Sequence, residues 1–446
     1  MRRREALDAK KGRSSKWVYL VLPANIAYGP ISTLIILYIL QLGGTVVDAS
    51  YAIALGSAVI VPAGLFWGWV SDRYQRRKAQ IMFSFFALSV CLASIVFVHS
   101  VTGVVLLYGL LNFFYYANGT PLNLLVMEHS PRQRWASTFS KLQMITSLGA
   151  TIGFVIAAVV TSMVELDSLV FVLFFISVVS IVFTAKFLYE PAIRLSRKLI
   201  IDTWVAMVSK TLIHPISMLN SPRLSAASVV GLPGVSTIAK LLRPRGGGKR
   251  DNYMLLFYAA SFVFYLGSGF FNTTYPAGLN EAGLSKSAVF TVLFFGIMVQ
   301  TYAFSYAGRR LGNVQGTGSL LGPVLARGIS YAALGALFLA AGRAWLGTGT
   351  VFLAANIVLY SIAAGFAYSL FYTISNTLFF KSMGGTERGG SLGMYVAVTN
   401  LAVLAGALLS GYTSYYVGYW AAFLAAGVLT VASGYVFLRS VRAARG

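Results

Sequence analysis

Residues 68–78 read GWVSDRYQRRK and place five charged side chains, Asp72, Arg73, Arg76, Arg77 and Lys78, in a 446-residue chain that is 57% hydrophobic and 11% charged. On both sides the sequence stays apolar for about twenty residues, the length a helix needs to cross a ~30 Å hydrocarbon core. At the bilayer centre each of these charges costs about 2.5–3.5 kcal/mol, so the cluster marks a membrane boundary between two spans. Further apolar runs recur outward from it, twelve in all, near 17–42, 51–70, 79–98, 104–126, 139–163, 168–188, 253–274, 288–307, 320–341, 351–380, 392–416 and 417–438. A mean hydropathy of +0.74 is outside what a water-soluble surface allows. An outer-membrane barrel would show alternating segments of about ten residues instead of these solid runs. The chain reads as an all-α integral membrane protein.

A net charge of +23 raises nucleic acid as a partner, and the distribution of the charge decides against it. With the amino terminus in the cytoplasm, only Lys286 and Arg343 of the 35 basic residues fall on the far side, which leaves 33 in the cytoplasm or at helix ends facing it. This positive-inside pattern sets orientation and attracts anionic lipid headgroups, at about 1 kcal/mol per residue near the surface. The outer loops carry Asp48, Glu165, Asp167 and Glu281 instead. The expectation is a monomeric, multi-pass protein of the cytoplasmic membrane with both termini inside. Its partners are membrane lipids and a small-molecule solute, with no nucleic acid. The first apolar segment is too long and aromatic for a cleaved signal peptide. A single cysteine, Cys91, leaves no intrachain disulfide or cysteine metal cluster.

The longest polar interruption, residues 191–251, holds ten Lys or Arg residues and divides the spans six and six. The organisation expected is an amino-terminal half over 1–190, a basic cytoplasmic linker over 191–251 and a carboxyl-terminal half over 252–446. In the linker, Ile201, Trp204, Val205, Val208 and Leu212 recur at helical spacing, which predicts an amphipathic helix on the inner leaflet. Gly246, Gly247, Gly248 and Lys249 lack the spacing of a phosphate-binding loop. SPRQRWAS after the fourth span and GGTERGGS after the tenth superpose Arg134 on Arg388 and Ser137 on Ser391. Likewise SDRYQRR after the second span corresponds to AGRRLG after the eighth, with Gly308 where Asp72 stands. The halves read as duplicated six-helix units.

In that setting the opening stretch resembles a known signature. Gly68, then Asp72 and Arg73, then Arg76 and Arg77, between the second and third of twelve spans, is similar to the loop motif of the major facilitator superfamily. The resemblance implies two pseudo-symmetric six-helix bundles. It also implies that Asp72 meets the amino-terminal end of the eleventh helix, whose free N–H groups favour an anion, when the cytoplasmic gate is shut. Arg73 would pair with an acid near the end of the fourth span, where Glu128 stands. Gln75 occupies the place of the family's second glycine, so a tight turn there needs another residue to supply the conformation.

The resemblance further places substrate near the midplane, among the first, fourth, seventh and tenth spans. Polar side chains in those spans are expensive to expose to lipid and should face inward. They are Asn25 and Tyr28 in the first, Asn112, Tyr116 and Asn123 with neighbouring Tyr115 and Asn118 in the fourth, Tyr265 and Asn272 in the seventh, and Tyr368, Tyr372 and Asn376 in the tenth. Each serves equally well as cavity lining or as an interhelical hydrogen-bonding group. Pro23, Gly29 and Pro30 predict a break in the first helix, Gly119 and Pro121 one in the fourth, and GSGFFNTTYP a loosened outer end of the seventh. Gly149 and Gly153 in GATIGF half match the antiporter signature of the family and read more simply as a packing face. No Asp, Glu, His or Lys falls mid-span, and Arg327 reads as lying toward the cytoplasmic end of the ninth. An interior without fixed charge disfavours proton coupling and points to a neutral or amphipathic solute.

The expected function is therefore a secondary active or facilitative transporter moving a small, neutral or amphipathic organic solute by alternating access, with no cofactor, no metal and no enzymatic activity. A proton-coupled exporter of drugs or metabolites stays open, as does a non-transporting receptor or scaffold on the same fold. His99, His129 and His214 have no metal-site spacing, which argues against an intramembrane enzyme.

Overall fold

The computed structural model describes residues 16–129, 135–188, 249–310, 317–343, 347–382 and 388–445. The amphipathic segment expected at 201–212 lies outside the described residues, as does Arg134. Twelve helices are long and apolar enough to cross a membrane: α1 Trp17–Gln41, α2 Val46–Tyr74, α3 Arg77–Ile95, α4 Val101–Val126, α5 Lys141–Met163, α6 Leu166–Phe187, α7 Tyr253–Glu281, α8 Lys286–Ala307, α9 Gly318–Gly342, α10 Thr350–Phe379, α11 Tyr395–Tyr416 and α12 Tyr419–Ser440. They form two six-helix halves, α1–α6 and α7–α12. Bulky side chains such as Phe86, Leu106, Phe175 and Val428 are more than half exposed along these helices, as only a lipid-facing surface tolerates.

Several helix ends have local causes. Thr45 caps α2: its hydroxyl accepts from the Asp48 amide, and the Asp48 carboxylate accepts from the Thr45 amide at 2.8 Å. This reciprocal capping box gives Asp48 a structural task the sequence reading missed. Helix α1 breaks at Gly29–Pro30, between Val21–Tyr28 and Ile31–Gln41. Helix α7 departs from expectation by continuing through Pro276 to Glu281. Tyr275, Ala277 and Leu279 around that proline are fully buried, so surrounding helices hold the segment despite its lost hydrogen bond.

Two glycine contacts bring backbones together at matching places in the halves. A Cβ at Gly153 of α5 would lie 2.2 Å from the Ile26 carbonyl oxygen of α1, and one at Gly406 of α11 would lie 2.3 Å from the Leu266 carbonyl oxygen of α7. Gly149 packs on Asn25 of α1 beside it, so GATIGF is a packing face.

The halves meet unevenly. A single apolar cluster joins Ile31–Ile39 of α1, Phe154 of α5, Phe270–Leu279 of α7 and Val289–Leu293 of α8 at the end of the bundle that carries the α1–α2 and α7–α8 turns. At that end Lys286 donates to Gln41 Oε1, Ser287 donates to the Ala158 carbonyl at 2.7 Å, and the hydroxyls of Tyr51 and Tyr412 bond across the gap. Gly411 of α11 also abuts Ser50 of α2 there. At the other end, which carries the basic α2–α3 turn, the apolar clusters are separate. One holds Trp17, Phe85, Leu125 and Leu142 of the first half, and another holds Phe257, Leu320, Phe371 and Phe437 of the second. Among the described residues, the molecule is closed at one face and divided at the other.

Candidate functional site

The opening stretch forms the end of α2 and the start of α3. Gly68 is buried, Asp72 half-buried, and Arg73 and Arg76 exposed. The Arg73 guanidinium sits 5.8 Å from the Trp69 ring centroid. Arg77 is 0% exposed, and its Nη1 donates to the carbonyl oxygen of Ser71 at 2.6 Å and to the Ser71 hydroxyl at 2.9 Å. One of the four bases therefore turns inward and ties the two helices together. The turn conformation comes from Gln75 itself, at φ 51° and ψ 20°, the one positive-φ non-glycine among the described residues. Arg73 and Arg76 line a cavity of about 420 Å³ with Trp67, Tyr74, Gln80 and Phe83. The side chain of Glu128, expected to pair with Arg73, lies outside the described residues.

The expected cavity residues separate into two sets. Asn25, Tyr28, Asn112 and Tyr115 knit α1 to α4. Tyr28 donates to Asn112 Oδ1 at 2.8 Å, Tyr115 donates to Asn25 Oδ1 at 3.2 Å, and the two tyrosine rings stack at 3.6 Å. Asn112 and Asn25 each donate Nδ2 to the carbonyl four residues back, Tyr108 at 2.8 Å and Val21 at 2.7 Å. Asn118 is likewise buried, donating to Ser84 and to the Tyr115 carbonyl. For this set interhelical bonding, one of the two readings open from sequence, accounts for the polar atoms. The second set is less enclosed: Tyr116, Tyr265, Tyr368, Tyr372 and Asn376 are partly exposed, and Asn123 and Asn272 are exposed. Tyr265 and Asn272 are seven residues apart on one face of α7. Tyr116 and Tyr372, from opposite halves, are neighbours.

Backbone irregularity falls beside these residues in both halves. Helix α4 tightens to a 3-10 turn over Tyr116–Asn118 before restarting at Gly119, where the sequence predicts a break. Helix α10, its counterpart in the duplication, widens to a π-helix over Ser361–Ala367, immediately before Tyr368. Such departures weaken the local ladder and concentrate at functional segments.

Sequence reasoning missed three features. Tyr275 of α7 donates to Asn356 Oδ1 of α10 at 2.9 Å, and Asn356 donates to the Phe352 carbonyl at 2.8 Å. This repeats the Tyr28–Asn112 arrangement in the second half. Rings of Phe271, Tyr275, Tyr331 and Tyr360 stack around it. The third is Arg327, which is 2% exposed. It sits nine residues into α9 from Gly318, level with Phe264, eleven residues into α7, and Tyr368, eleven residues from the end of α10. At about 1.5 Å per residue that is about two-fifths of the way across from the end that carries the basic turns, on the side the sequence reading expected, and it corrects the reading of an interior without fixed charge.

Two pseudo-symmetric six-helix membrane bundles, joined at one face and divided at the other, define a twelve-helix transporter fold. The sequence profile of the Major Facilitator Superfamily matches residues 18–342, and the chain belongs to that family. No curated protein sequence matches it. Solved structures share the fold at low identity. A proton-dependent oligopeptide transporter aligns at a TM-score of 0.70 and 15% identity over 98% of this chain and 99% of the other. The nucleoside transporter NupG aligns at 0.67 and 13% over 97% and 98%. The human organic anion transporter MFSD10 aligns at 0.62 and 14% over 95% and 99%.

Proposed function

We propose that this protein carries a small organic solute across the cell membrane by alternating access, with its basic face in the cytoplasm. The observation that carries this reading is the uneven junction of the halves, closed at one face and divided at the other; Tyr116, Tyr265, Tyr368 and Tyr372, away from the span ends and partly exposed, are the candidate solute contacts, with Asn376 nearer the basic face. That is the geometry of a carrier resting with its outer gate shut. Aromatic faces and amides then supply the contacts, and the residues of the α4 and α10 irregularities move as the halves rock. The related folds carry peptides, nucleosides or organic anions according to their names, and that range supports a small organic solute without selecting one. Facilitated movement fits better than proton coupling because no carboxylate or histidine lies mid-span among the described residues. Asp72 and the Gln75 turn take the role of gating the basic face.

The test is counterflow in proteoliposomes across a panel of sugars, nucleosides, peptides and organic acids, with and without a pH gradient. Saturable exchange of one solute class that is impaired in Asp72→Asn supports the reading. Absence of exchange for every solute overturns it in favour of a receptor or scaffold.

A further inference from the structure

Arg327 is the only Asp, Glu, His, Lys or Arg residue that lies away from the ends of a described span. Among the described residues its guanidinium has no acidic partner. Its carbon lies 4.8 Å from the ring centroid of Tyr368, 5.1 Å from that of Phe264 and 5.1 Å from that of Tyr331, while Nε and Nη1 are buried without a hydrogen bond. Rings of this kind attract a cation through their faces and leave its N–H edges unused. Arginine has five N–H donors in a fixed fork and stays charged, so unfilled donors within a span are an expensive arrangement to keep without a ligand.

The surroundings share that character. The hydroxyls of Tyr331, Tyr395 and Ser261 are buried with no hydrogen bond of good geometry, although Tyr331 lies beside the Arg327 guanidinium and Tyr395 beside the hydroxyls of Tyr265, Ser261 and Ser375. Tyr395 neighbours Ser261 and Tyr265, and Tyr368 neighbours Tyr372 and Tyr395. Arg327 Nε and Nη1 and these hydroxyls can all donate to an anion, and among the described residues the one charge within these spans, away from their ends, is positive. Tyr368 is partly exposed, and its ring packs on Arg327 on one side and lies 5.9 Å from the Tyr372 ring on the other.

We propose that Arg327 is the anchor for a carboxylate on the transported solute, with Tyr331, Tyr395 and Ser261 as secondary donors and Phe264 and Tyr368 against its apolar body. This rests on the transporter reading above and narrows it to organic monoanions. One guanidinium compensates one carboxylate and can bond it bidentately. A phosphate dianion would leave a second charge without compensation in a low-dielectric interior, and no further base lies at this depth among the described residues. The solute reaches Arg327 when the α10 segment shifts and Tyr368 swings aside, so the arginine is presented from within the second half during the gating motion.

The experiment is thermal unfolding of the purified full-length protein in detergent with acetate, benzoate and octanoate, each paired with its neutral amide, at constant chloride. Wild type is expected to be stabilised by benzoate or octanoate and not by the amides. Arg327→Gln should keep a cooperative transition and lose about tenfold to a hundredfold in affinity, the range commanded by hydrogen bonds to a charged group. Arg327→Lys, which retains the charge without the fork, is expected to fall between. Stabilisation by none of the three acids, or an equal shift in Arg327→Gln, overturns the assignment. If removing the arginine prevents folding, Tyr368→Ala carries the test, and unchanged carboxylate affinity there overturns it. Binding is read without transport, so carboxylate binding in a protein that moves nothing would sink the transporter reading alone, and counterflow of neutral solutes unaffected by Arg327→Gln would sink the anion site alone.

Discussion

At the level of single residues, the α2–α3 turn concentrates the informative chemistry. A non-glycine side chain in the left-handed region costs about 1–2 kcal/mol, and Gln75 bears that strain at φ 51°. Gln75→Gly is therefore expected to raise stability by about 0.5–1 kcal/mol, and Gln75→Val to lower it, in thermal unfolding in detergent. Asp72, Arg73 and Arg76 were legible as boundary charges because they cannot enter the hydrocarbon. Arg77 carries the same charge and sits in the same run, yet it is buried on Ser71, and nothing in the sequence separates it from its neighbours. Arg327 was legible as lying toward one end of its span, but counting residues along one helix gave no sign that Phe264 of α7 and Tyr368 of α10 enclose it.

Whole elements were easier to read, because span length and helix breakers act locally. The breaks in α1 and α4 follow from Gly29–Pro30 and Gly119, whereas Pro276 fails to break α7 because the tertiary packing around Tyr275 and Leu279 overrides it. Composition carries no signal for the π-helix of α10. The Tyr28–Asn112 and Tyr275–Asn356 bonds join equivalent helix pairs in the two halves, so Tyr28→Phe and Tyr275→Phe should destabilise similarly. Hydrogen bonds between membrane helices average about 0.6 kcal/mol and reach about 1.7, and unfolding in mild denaturant would resolve that loss. Backbone contact at Gly153 leaves no room for adjustment. Gly153→Val and Gly406→Val are expected to abolish monodisperse protein on size exclusion, while Gly119→Ala, with nothing within 4 Å, should behave as wild type.

For the molecule as a whole, the account depends on the closed face opening during transport. Ser50 of α2 and Gly411 of α11 meet there, and a Cβ at Gly411 would lie 2.6 Å from the Ser50 Cβ, near enough for a disulfide after a small separation of the helices. The one native cysteine, Cys91, is buried and can be replaced by Ala to give a clean background. In that background, Ser50→Cys with Gly411→Cys fixes the face in its closed arrangement once oxidised. The decisive measurement is counterflow of a transported solute by this double variant, oxidised and then reduced. Alternating access predicts that exchange stops when the disulfide forms and returns on reduction. Undiminished exchange across a quantitatively oxidised Ser50–Gly411 pair would contradict it.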